Sequence, residues 1–110
     1  MTEKEKIEEI IHLVKEHKVE GINVVKTEID ITDDDFIKEY RIEVYFDMTD
    51  DHREDEFADE LLATFENCGY KNFYSEEDKY EKDVRPMNFD PEKGSSNWKV
   101  HLQLKLYTED

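Results

Sequence analysis

Tyr40-Arg41-Ile42-Glu43-Val44-Tyr45-Phe46-Asp47-Met48 places an apolar or aromatic side chain at every second position, with Arg41, Glu43 and Asp47 between them. A period of two is the mark of a β-strand with one face buried and the other wet. The same alternation closes the chain: Trp98, Val100, Leu102, Leu104 and Leu106 share one side, and Lys99, His101, Gln103, Lys105 and Tyr107 the other. Upstream, Val25, Thr27, Ile29 and Ile31 are expected on one face and Lys26, Glu28 and Asp30 on the opposite one. The phase slips at Val24-Val25, which predicts a bulge. Asp33-Asp34-Asp35 reads as the polar turn of a hairpin between these strands. Strands that are apolar on one side only belong to an antiparallel sheet covered on that side alone.

Two helical patterns supply the cover. Thr2-x-x-Glu5 is a capping box, and Ile7, Ile10, Ile11 and Val14 follow at helical spacing, predicting a helix over about residues 3–17. Thr49-Asp50-Asp51 offers N-caps for a second helix over about 51–68, with Phe57, Ala58, Leu61, Leu62, Phe65 and Cys68 inward and Gly69 at the C′ position. Tyr70–Ser75 reads as a short strand, and a weak edge strand is expected near Lys79–Arg85 inside an otherwise irregular 76–96 segment. The expectation is one α+β domain spanning 1–110. It has two layers, an antiparallel sheet of four to five strands with two helices packed on one face, in the order α-β-β-α-β-(β)-β.

Charge dominates the composition. Asp and Glu number 31 against 15 Lys and Arg, a net charge of −16 on 110 residues. Between Glu43 and Glu66 stand ten carboxylates and one cation, Arg53. So much charge of one sign repels itself and opposes compaction. It disfavours direct contact with nucleic acid or an anionic membrane, whose phosphates are met by clustered Lys and Arg. Cys68 is the only cysteine, no apolar run is long enough to span a membrane, and the opening residues lack the layout of a signal peptide. A cytoplasmic protein is expected.

Motifs for chemistry are sparse. Gly21, Gly69 and Gly94 are scattered and form no phosphate-binding loop. His12 and His17 are five apart, off a common helical face, and His52 with Glu56 makes an incomplete metal site. Asp33-x-Asp35 lacks the glycine and closing glutamate of a calcium loop. Glu77-x-Lys79 has no aspartate anchored on an apolar strand beside it. Cys68, on the apolar stripe of an acidic helix, is expected to be buried and structural. No catalytic residue, metal or cofactor is assigned, and the chain is expected not to be an enzyme.

The acidic surface is the functional signal. Asp55, Glu56, Asp59, Glu60 and Glu66 fall on the outer arc of the second helix, where Asp55/Asp59 and Glu56/Glu60 are like-charged at i, i+4 and no lysine on that face is expected to relieve them. Glu39, Glu43 and Asp47 are expected as a second row, Asp33, Asp34 and Asp35 and then Glu76, Glu77 and Asp78 as acidic loops, and Tyr45, Tyr74 and Tyr80 as exposed anchors. Carboxylates repeated in this way can compete with phosphates for a protein's basic groove. In size, charge and lack of catalytic motifs the chain resembles small phage-encoded inhibitors of bacterial defence, the nucleic-acid mimics and anti-CRISPR proteins. It is also similar in type to acidic immunity proteins that neutralise nuclease toxins. The resemblance implies an inhibitor that blocks a basic nucleic-acid-binding protein. The alternatives are an immunity protein or a housekeeping acidic domain.

Overall fold

The computed structural model describes residues 2–48, 53–74, 79–86 and 98–109. Helix α1 spans Glu3–His17. Thr2 caps it: its Oγ1 accepts from the Glu5 amide at 3.2 Å, the N-cap half of the expected box, and donates to Glu5 Oε1, so the glutamate is engaged through the hydroxyl. Strands β1 (Ile22–Asp33) and β2 (Ile37–Met48) pair as an antiparallel hairpin. At its tip the Asp34 amide donates to the Ile37 carbonyl at 3.0 Å, and Asp34 Oδ1 accepts from the Asp35 amide at 2.7 Å.

Helix α2 spans Glu54–Asn67, followed by β3 (Lys71–Asn72), β4 (Glu81–Pro86) and β5 (Trp98–Glu109). The fold is α+β, with five antiparallel strands in the order β1-β2-β5-β3, and β4 also pairs with β5. Both short strands use the same edge of β5. β4 lies along Trp98–Gln103 and β3 along Leu106–Tyr107.

One continuous core joins the layers. Ile7, Ile10, Ile11 and Val14 of α1 and Phe57, Ala58, Leu61, Leu62 and Phe65 of α2 are buried against Ile42, Val44, Phe46, Met48, Val100, Leu102, Leu104 and Leu106. Each strand therefore turns one set of alternate residues to the helices and the other set outward, as the period of two requires.

Several expectations are corrected. The bulge sits between Val24 and Lys26, and its extra residue, Val25, is 64% exposed and not on the apolar face. Ile22 and Val24 face the core before the bulge, and Thr27, Ile29 and Ile31 after it. Helix α2 begins at Glu54 with Arg53 at the N-cap and no side-chain cap, and the proposed caps Thr49-Asp50-Asp51 lie outside the described residues. Cys68 is exposed. The helix ends in a Schellman arrangement in which the Gly69 amide donates to the Glu66 carbonyl and the Tyr70 amide to the Phe65 carbonyl. Gly69 takes φ +96°, which turns the chain so that Tyr70, not Cys68, enters the core. The Tyr70 ring meets Phe65 and Tyr40 edge-on, with centroids 5.4 and 5.1 Å apart. The strand expected over Tyr70–Ser75 is confined to Lys71–Asn72.

Candidate partner-binding surface

On α2, Phe57, Leu61 and Phe65 lie inward, which leaves Asp55, Glu56, Asp59 and Glu66 exposed and Glu60 half-buried. The helix itself carries no cation, but its N-cap Arg53 and two lysines brought by the fold lie beside it, which corrects the picture of an unrelieved row. Lys82 Nζ on β4 lies 2.9 Å from Asp55 Oδ1 and 3.4 Å from Glu54 Oε1. The Tyr80 hydroxyl donates to the same Asp55 oxygen. Lys18 Nζ is 3.5 Å from Glu60 and Arg53 Nε 3.9 Å from Glu56. Asp59 and Glu66 have no ion pair among the described residues.

The Asp55 site is the most strongly perturbed part of this surface. The Tyr80 hydroxyl and then the Lys82 ammonium hold the Asp55 carboxyl below the ordinary aspartate range. The Asp55 carboxylate in turn raises Lys82. Burial first, and then donation to Asp55, push the Tyr80 phenol well above its usual value. Glu54, beside them, is only 6% exposed, and its Oε2 has no hydrogen-bond partner.

The other candidate residues do not join this surface. Glu39, Glu43 and Asp47 stand on the open face of the sheet, on the side away from the helices. There they form cross-strand rungs with β5: Glu39 with Tyr107, Glu43 with Gln103, and Asp47 with Lys99. Glu43 Oε1 also lies 3.4 Å from His101 Nε2. Asp33, Asp34 and Asp35 are at the hairpin tip, where Asp33 approaches Lys38 at 4.0 Å. Glu76, Glu77 and Asp78 lie outside the described residues.

The expected exposure of the tyrosines is corrected, since all three are half-buried. Tyr45 stacks on His101 at 4.3 Å and 8°. The Tyr74 hydroxyl accepts from Gln103 Nε2 at 3.3 Å, and the Tyr80 hydroxyl is engaged by Asp55. Among the described residues the most exposed aromatic is one that sequence reasoning passed over, Phe36 at 80%. Its signal was an aromatic residue placed inside a polar turn.

Charge is sided. The two helices together carry eleven carboxylates and three lysines, and Lys18, Lys38, Arg53 and Lys82 lie against them. Among the described residues the open sheet face carries eight carboxylates (Glu28, Asp30, Glu39, Glu43, Asp47, Glu81, Asp83, Glu109) and six cations (Lys26, Arg41, Lys71, Arg85, Lys99, Lys105). A shallow depression of about 560 Å³ on that face is lined by Lys26, Tyr45, Asp47, Arg85, Lys99 and His101, among others. Among the described residues no group of three His, Cys, Asp or Glu is placed to hold a metal ion, and no helix is long and apolar enough to cross a membrane. Comparison with family models, curated proteins and solved structures finds no match.

Proposed function

We propose that the protein is a non-enzymatic binding protein whose helix layer occupies the basic, nucleic-acid-binding surface of a partner, such as a nuclease. The observation that carries this reading is the excess of carboxylates on the helix layer: eleven against three lysines of the helices and the four cations packed on them (Lys18, Lys38, Arg53, Lys82), with Asp59 and Glu66 in no ion pair among the described residues, where the open sheet face has eight against six. A coat of charge serving only solubility has no need to be sided. Concentrated on one layer, it creates a field that steers a basic partner to that layer and raises the association rate. This reading places the protein in the cytoplasm, where nucleic-acid-binding partners work and an exposed Cys68 thiol stays reduced.

The test uses the chain as bait in a nuclease-treated lysate, followed by association kinetics with each retained protein. The variant is Glu56→Gln, Asp59→Asn, Glu66→Gln, which removes charge, keeps shape and spares the Asp55 site. It should associate about tenfold more slowly or worse, and added DNA or RNA should displace the parent chain. Equal association by the variant, or simultaneous binding of nucleic acid and the chain to the partner, would end the proposal.

A further inference from the structure

We propose that two copies of the chain pair face to face through the open sides of their sheets. The open face is the surface on which two molecules of net charge −16 can approach, because its own charges nearly cancel. Its pattern is also self-complementary. Along β2 the outward residues run Ile37, Glu39, Arg41, Glu43, Tyr45, Asp47, and their β5 partners are Glu109, Tyr107, Lys105, Gln103, His101 and Lys99. The midpoint of both series falls between the Arg41 and Glu43 rungs.

A two-fold axis crossing the strands at that midpoint superposes the two faces over their full length. It sets Glu43 opposite the second copy's Arg41, twice by symmetry, and Gln103 opposite Lys105. Lys99 then meets Glu109, the Tyr45–His101 stack meets Glu39 and Tyr107, and Asp83 on the β4 edge meets Lys71 on the β3 edge. The one like-charged encounter, Glu28 with Asp30, falls on the outer strand β1, where water screens it.

The size fits. Three strands of twelve residues and the shorter β3 and β4 along the fourth position, at about 3.4 Å per residue and about 4.8 Å between strands, present roughly 700 Å² per copy. That is close to the half-interface of a stable complex, about 800 Å². Apolar material is present on this face too. Ile37 and Phe73 are exposed, Phe73 meets Tyr107 edge-on at 6.1 Å, and Lys105 Nζ sits 4.3 Å above the Phe73 ring. The helices stay outside, so the dimer would display two acidic layers on opposite sides. The pairing does not depend on the proposed function.

Sedimentation velocity over a dilution series at fixed ionic strength tests the pairing on the parent chain, which should show a concentration-dependent dimer. Arg41→Glu and Glu43→Arg each place like charges at both symmetric contacts and should weaken dimerisation about a hundredfold. An equimolar mixture of the two variants restores opposite charges at both contacts and should recover a heterodimer. A parent that stays monomeric throughout overturns the proposal. So does a single variant that dimerises as the parent does, or a mixture of folded variants that fails to recover association.

Discussion

At the scale of single residues, Asp55 does more than decorate an acidic helix. Its carboxylate takes the Tyr80 hydroxyl and the Lys82 ammonium, and both donors come from the segment at and before β4. The interaction fastens an edge strand of low apolar content to the first turn of α2. Because the folded state holds Asp55 below its ordinary value, the contribution is fully present above the ordinary aspartate pKa of about 3.9. It is lost as pH falls through the lowered folded value. Tyr80→Phe keeps the ring and removes the donor, at a cost of about 1 kcal/mol at neutral pH, the exposure of Asp55 holding this below the usual range for a bond to a charged group. Urea denaturation of parent and variant from neutral pH down to about pH 3 should show the difference shrinking below about pH 4. A gap that stays constant with pH would mean the hydroxyl does not act through the Asp55 carboxylate.

At the scale of elements, Leu61 of α2 and Leu104 of β5 both lie in the shared core with 0% exposure each. Leu61→Ala or Leu104→Ala should therefore each cost about 2–5 kcal/mol in chemical denaturation. A cost below about 1 kcal/mol would mean the layers are not closely packed there. These two elements, like β2 and α1, were legible in the chain because a buried face imprints its own period on the sequence. Strand β4 was legible only as a weak edge, since Glu81-Lys82-Asp83-Val84-Arg85-Pro86 holds one apolar residue besides its proline. Its place comes from the ladder to β5 and from Lys82 on α2, and neither leaves a local pattern. The acidic row on α2 was likewise legible, but its neutralisation was not: Lys82 is 27 residues from Asp55. Side-chain direction at a bulge or just past a helix end escaped the reading for a related reason. One extra residue exposes Val25, and the turn at Gly69 brings Tyr70 inward in place of Cys68.

At the scale of the whole molecule, attraction and repulsion respond oppositely to salt, and their balance can be measured. The cross-element pairs Glu3–Lys38, Lys18–Glu60 and Lys71–Glu109 are solvent-accessible, so each is worth about 0–1 kcal/mol and weakens as ions are added. Against them stands the imbalance of 31 carboxylates and 15 cations. Shortening the screening length from about 8 Å at physiological salt to about 3 Å at 1 M removes more repulsion than attraction. The melting temperature should therefore rise with sodium chloride. The measurement belongs on the Arg41→Glu variant, so that coupling to dimerisation does not enter. Adding Glu56→Gln, Asp59→Asn and Glu66→Gln to that background should flatten the response, because these residues contribute to the field and Asp59 and Glu66 form no ion pair among the described residues. A melting temperature that stays level or falls with salt would mean that the fold compensates its charges internally. The helix layer would then lack the field needed to draw a basic partner, and the proposed function would lose its physical basis even with the fold intact.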